Sequence, residues 1–365
     1  MRMHFLLLFL LVAIAGIGVM TLYSVAEGSW TPYASRHLIR FAFASIILVA
    51  VAVTPLRYWL SAAYPIYAAT LFLLLLVPMI GVMNNGAQRW ISLGGFQLQP
   101  SEMMKIALVL ALARYYHGLE YKKVSTVLGL IPPMAMIAIP TGLVFLQPDL
   151  GTALLLGFSG VFVVLMAGLA WQWIVLGIFG ALAGIVGAIQ TGLLKAYQIE
   201  RVTAFLNPEY DPLGANFHPN QSKIAIGSGG VEGKGFMEGT QSQLGFLPEK
   251  HTDFIFTIFG EEFGLIGTLG LLALYFITFV VAMRIAISAK SHFGRLLSMG
   301  VAMTLVMYVL VNTGMVMGLA PVVGVPLPLV SYGGTVMLAI MAGFGLVMCT
   351  WIHRHQDTLR TPSWR

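Results

Sequence analysis

The chain begins "MRMHFLLLFLLVAIAGIGVM" (residues 1–20), and the reading of this stretch decides the fold. A basic start followed by an apolar run is the form of a cleaved secretory leader. Here the run extends from Phe5 to about Tyr23, which is long enough to cross a bilayer. Nine further runs of the same kind follow, so the opening stretch reads as an uncleaved first helix. The predicted spans are 4–24, 38–55, 60–82, 101–117, 125–146, 152–169, 171–193, 254–283, 295–317 and 335–353. The boundary between the sixth and seventh is soft, and prolines 132, 133 and 140 interrupt the fifth. The expected fold is an all-α polytopic membrane protein of about ten helices. It forms one integral membrane domain over residues 1–365, with a large segment, 194–252, between helices seven and eight.

Composition supports this reading. Hydrophobic residues make up 58% of the chain and charged residues 9%, against about 25% in soluble proteins. The net charge of +6 does not point to nucleic acid, because the basic residues stand at span ends and not on one face. The single cysteine, Cys349, excludes a disulfide framework and a cysteine-based zinc site. No repeat of helix groups is visible, which argues against an inverted-repeat transporter.

Orientation follows from the basic residues. With the N-terminus inside, the cytoplasmic segments and span ends hold eleven: Arg2, Arg57, Arg114, Lys122, Lys123, Arg284, Lys290, Arg295, Arg354, Arg360 and Arg365. The short outer segments hold three: Arg36, Arg40 and Arg89. Both termini are therefore expected in the cytoplasm. "NNGAQRW" (84–90), "QPSEMMK" (99–105), "QPDLGT" (147–152), the 194–252 segment and "PLPLVSYGG" (326–334) then share the outer side, and any chemistry is expected there.

Within "FLPEKHTDFIF" (246–256), Glu249, Lys250, His251 and Asp253 crowd the mouth of the eighth span. An Asp before an apolar run is ordinarily a helix cap. An Asp at a membrane interface also loses hydration, which raises its pKa and suits a general base. On an ideal helix Glu261 lies about 80° and Glu262 about 180° round from Asp253, so no carboxylate pair is read here. Glu102 and Lys105 share one face of the fourth span. They read either as an ion pair locking helices or as a lysine that answers an anionic head group with Glu102 holding it. Arg201 reads as an interfacial anchor or as a pyrophosphate clamp. "GSGGVEGKG" (227–235) fails the phosphate-loop pattern, with Ser228 and Gly235 at positions that need Gly and Ser/Thr. It reads as a glycine turn, with the alternative that its amides and Lys234 approach a lipid phosphate. His218 and His251, 33 residues apart, give a weak metal signal. No nucleotide site is visible, so an outward-facing enzyme would need a pre-activated donor.

"NGAQRWI", "QPSEMMKIA", "QPDLGT", "DPLGANFHPNQSKIAIGSGGVEGKGFMEGTQSQLGFLPEKHTDFIF", "EEFGLIG" and "PLVSYGGT" occur in the order found in the SEDS (shape, elongation, division and sporulation) family. The resemblance runs from about Asn85 to Gly345 and is closer to the elongation member than to the division member. It implies a peptidoglycan glycosyltransferase that polymerises lipid II at the outer face of the cytoplasmic membrane. It also implies partners: a class B penicillin-binding protein and the elongation machinery. The family's essential aspartate falls on Asp253, and the acid and lysine of its "QPSExxK" fall on Glu102 and Lys105. Arg201, Lys250, His251, Lys234 and Ser331 complete the substrate-binding candidates. Asp253 acts as the base or through a divalent cation, magnesium or manganese, with no nucleotide. The rival readings are a lipid II flippase and a non-catalytic scaffold. Pro219, where relatives carry an aliphatic residue, and Gly245, where an acid is common, are departures that bear on local loop shape.

Overall fold

A computed structural model describes residues 3–84, 87–94, 96–190, 192, 196–207, 214, 216–240 and 250–356. The helices are α1 (Phe5–Val25), α2 (Tyr33–Val53), α3 (Leu56–Ile80), α4 (Pro100–Gly118), α5 (Val127–Leu146), α6 (Leu150–Met166), α7 (Trp171–Gln190), α8 (Ala196–Leu206), α9 (Phe217–Ser228), α10 (Ile255–Ser288), α11 (His292–Val316) and α12 (Gly334–Ile352). A helix lies at each of the ten expected spans. Among the described residues, seven of them, α1, α2, α3, α5, α10, α11 and α12, are long and apolar enough to cross a membrane. The charges of Glu102, Lys105 and Arg114 set α4 apart from these, and α6 has only 17 residues.

α4 is the axis of the bundle. Its apolar residues run all the way round, from Met104 to Ala113, and they are buried against α3, α6, α11 and α12. α12 packs along α2, and α10 along α11. On the periphery Phe5, Phe9, Leu128 and Phe276 stand exposed. Water would reject such a surface, and lipid tails accept it. The three prolines of α5 sit inside a continuous helix.

Two features depart from the sequence reading. Between α3 and α4, where the sequence reading placed no strands, lies a small antiparallel sheet in the order β1 (Val82–Asn84), β2 (Ala87–Leu93), β3 (Phe96–Leu98). The eighth span is broken at Gly264, whose φ of 61° and ψ of −159° leave the helical region. In a continuous helix Leu265 and Ile266 would donate to the carbonyls of Glu261 and Glu262. Here Leu265 N donates to Gly230 O at 3.0 Å and Ile266 N to Val231 O at 3.1 Å. Lys234 N and Gly235 N donate to Glu261 O and Glu262 O, each at 3.0 Å. The glycine loop after α9 thus fills the break. Non-helical backbone is tolerable within a membrane when it is satisfied by buried protein in this way.

Candidate active site

Asp253 lies half-buried in the turn before α10. Phe254, not Asp253, stands at the N-cap position of α10, and it makes no side-chain bond. Instead the turn is clamped from behind. Three successive carbonyls each accept one donor: His251 O from Tyr332 N at 2.9 Å, Thr252 O from Ser331 Oγ at 2.6 Å, and Asp253 O from Asn312 Nδ2 at 2.9 Å. Asn312 Nδ2 also donates to Val325 O at 2.7 Å, and Leu327 N to Ser331 Oγ at 2.7 Å. The backbone of the acid-bearing turn is therefore tied to α11 and to the loop 317–333.

That loop also meets the carboxylate. A Cβ built on Gly324 would stand 3.2 Å from Asp253 Oδ2, and Gly324 has a φ of +70°. Only glycine takes that conformation without strain and leaves the oxygen room. On the other flank the His251 ring stacks on Tyr33, centroids 4.6 Å apart, and Tyr332 packs edge-on to Tyr33. The Arg40 guanidinium lies 4.4 Å over Tyr332.

A second polar group lies deeper. Lys105 Nζ is 2.6 Å from Glu102 Oε1 and 4.5 Å over the Tyr308 ring, and the Tyr308 hydroxyl donates to Glu102 Oε2. Lys105 is 1% exposed and Glu102 3%, so as placed the lysine answers helix-borne partners. The link to the turn is α11, which carries Tyr308 and, four residues on, Asn312. The "NNGAQRW", "QPSEMMK" and "QPDLGT" segments meet at Asp149. Its carboxylate caps α6 at Thr152 N (3.2 Å), accepts from Gln99 Nε2 (3.2 Å) and faces Arg89 Nε at 3.8 Å. Gly151 packs against Val323 and Val325 of the 317–333 loop.

The remaining expectations are distributed around this centre. Lys250 opens the turn, whereas Pro248 and Glu249 lie outside the described residues, as does Gly245. Ser331 positions backbone. Lys234 Nζ is bound by Glu261 Oε1 and by Thr240 Oγ1, each at 2.7 Å, and the amides of Lys234 and Gly235 answer helix carbonyls. The glycine loop is a structural wedge, and those two amides are not open to a lipid phosphate. Glu261 and Glu262 face the wedge and Ser24, not Asp253. Arg201 lines a groove between α8 and α9. Asn312, Gly324, Tyr308, Tyr332 and Tyr33 were not singled out from sequence. Asn312 and Tyr308 carried the available signal, since polar groups within an apolar span are costly and rarely idle.

These features define a multi-pass helical membrane protein with a polar, acid-bearing site where several inter-helix segments converge. The chain belongs to the cell cycle protein family of FtsW, RodA and SpoVE, whose model matches residues 1–357. It is 43% identical over 353 residues to the peptidoglycan glycosyltransferase MrdB of Escherichia coli, covering 97% of this chain and 94% of that one. Its fold matches the solved rod shape determining protein RodA of Thermus thermophilus at a TM-score of 0.74 and 31% identity, covering 98% and 99%. It also matches, at a TM-score of 0.84 and 34% identity, a chain of a peptidoglycan synthase complex whose polymerization and crosslinking are structurally coordinated, covering 98% and 100%. The elongation-type resemblance read from sequence agrees with these relatives.

Proposed function

We propose that this chain is a peptidoglycan glycosyltransferase that polymerises lipid II into β-1,4-linked glycan at the outer face of the cytoplasmic membrane, with Asp253 as general base. The observation that carries the assignment of Asp253 is the clamped turn: three successive carbonyls are pinned, while the carboxylate lies against a glycine. Such fixing of a reactive group by the backbone lowers the cost of reaching the transition state. The acceptor is the 4-hydroxyl of one sugar. Its oxygen attacks C1 of the donor, the proton passes to Asp253, and the bond from C1 to the diphosphate oxygen breaks with its electron pair. Attack from the opposite face inverts an α-linked donor to a β product. Cations of the site offset the charge on the departing diphosphate.

A magnesium or manganese ion would supply further charge neutralisation. Asp253 is the described residue of the site that would hold it, through its carboxylate oxygens. The partner is a class B penicillin-binding protein that crosslinks the product, and both termini are cytoplasmic. These points rest on the relatives and on the distribution of basic residues.

The test is polymerisation of lipid II by the purified protein with its penicillin-binding partner, transpeptidation blocked, wild type beside Asp253→Asn. Polymer from wild type and none from the folded variant is the expected result. Polymer from both would remove Asp253 from the chemistry.

A further inference from the structure

A shallow groove opens between α8 and α9 on one wall and residues 318–322 on the other. Its lining is amphipathic. Arg201 and Lys223 bring positive charge, while Phe205, Pro321 and Val322 bring apolar surface. Sequence reading gave Lys223 no role.

The placement of Lys223 is specific. It is exposed, and among the described residues no carboxylate pairs with it. Its stem lies along Gly318, where a Cβ would stand 3.0 Å from Cδ and 3.7 Å from Nζ. The backbone behind it is fixed, because the neighbouring Ser222 Oγ bonds Val316 O at 2.8 Å and Thr257 Oγ1 at 2.7 Å. Thr257 lies four residues beyond Asp253. The loop that meets Lys223 at Gly318 meets the Asp253 carboxylate at Gly324, and six residues of chain reach at most about 20 Å. Groove and base therefore share one wall.

An amphipathic groove with two cations calls for an amphiphilic anion. We infer that it seats the diphosphate and first isoprene units of the polyprenyl-linked donor, with Lys223 and Arg201 holding the diphosphate. The inference rests on the glycosyltransferase reading. When the bond from C1 breaks, its electron pair stays on the diphosphate oxygen, and the Lys223 ammonium donates to the charge that grows there. Lys105 is less suited, being buried against Glu102.

The test uses the full-length protein with its penicillin-binding partner in detergent. Binding of farnesyl diphosphate, farnesyl monophosphate and inorganic pyrophosphate is measured for wild type, Lys223→Met, Lys223→Gln, Lys223→Arg and Asp253→Asn, with melting curves as folding controls. Lys223→Met and Lys223→Gln should weaken farnesyl diphosphate about tenfold or more, the size of one charge-assisted contact. Farnesyl monophosphate should lose less, Lys223→Arg should recover most of the affinity, and Asp253→Asn should bind as wild type does. Polymerisation by Lys223→Met should fall about 10²-fold in kcat. Wild-type affinity for farnesyl diphosphate in the folded Met and Gln variants would overturn the inference. A dependence on Lys223 seen only with inorganic pyrophosphate would also overturn it, by making the site one for a free anion. Binding of farnesyl diphosphate through Lys223 by a wild type that makes no polymer would leave the groove standing and remove the glycosyltransferase reading instead.

Discussion

Asn312→Ala is the sharpest probe of how the site is held. The wild-type amide donates to two carbonyls, Asp253 O at 2.9 Å and Val325 O at 2.7 Å. One belongs to the acid-bearing turn and the other to the loop that faces its carboxylate. Alanine leaves both carbonyls without that donor. An unsatisfied buried acceptor costs about 1–3 kcal/mol, so about 3 kcal/mol for the two together is a central figure. If that energy holds turn and loop in register, its loss reduces the competent population about 10²-fold. The expected outcome is a drop of that order in kcat for lipid II polymerisation. KM should change little, because Asn312 is buried behind the turn and acts as a positioning residue. Asn312→Asp keeps the shape and loses both donors, so it should fail to the same degree. Melting temperature and co-purification with the penicillin-binding partner are followed alongside. An Asn312→Ala protein that polymerises within about twofold of wild type would refute the reasoning, since it would put less than about 0.5 kcal/mol on the clamp. A lowered melting temperature with kcat unchanged would make Asn312 a packing residue only.

Gly324→Ala should lower polymerisation at least about tenfold with the fold intact. The positive φ costs an L-residue roughly 1–2 kcal/mol, and the added methyl crowds Asp253 Oδ2. Wild-type kcat in the folded variant would show that the loop gives way. Lys105→Met should destabilise by about 3–5 kcal/mol, because it strands Glu102 as a buried, unpaired carboxylate. The double variant Glu102→Gln with Lys105→Met should regain most of the lost melting temperature, and equal melting of the single variant and wild type would count against the pair.

The helices were legible because lipid allows almost no freedom. Each span must satisfy its own backbone and present apolar side chains, and a run such as 5–25 can do little else. Asp253, Lys250 and His251 were legible as a cluster because charge is rare here and they adjoin in sequence. What was hidden is contact between distant segments. Nothing within "PLPLVSYGG" says that Ser331 and Tyr332 will bind two carbonyls some eighty residues earlier, and nothing local to Asn312 names Asp253. The sheet between α3 and α4 escaped because two of its strands are three residues long, too short for any periodicity to register. The Gly264 break escaped because an apolar run reads as one helix whether or not a loop is wedged into it.

The wedge at Gly264 has a genetic consequence. All four bonds that bridge the break are made by backbone atoms, so they are indifferent to which side chains stand at Val231 or Glu232. They are strict about spacing. Gly230 and Val231 must reach one lip of the gap while Lys234 and Gly235 reach the other, with two residues between the pairs. Substitutions at Val231 and Glu232 should be widely accepted, whereas Gly233, where a Cβ would stand 2.1 Å from Glu262 O, should tolerate none, and gain or loss of a single codon would throw every bridge out of step and leave four polar groups facing hydrocarbon. For this stretch, length is inherited more rigidly than spelling.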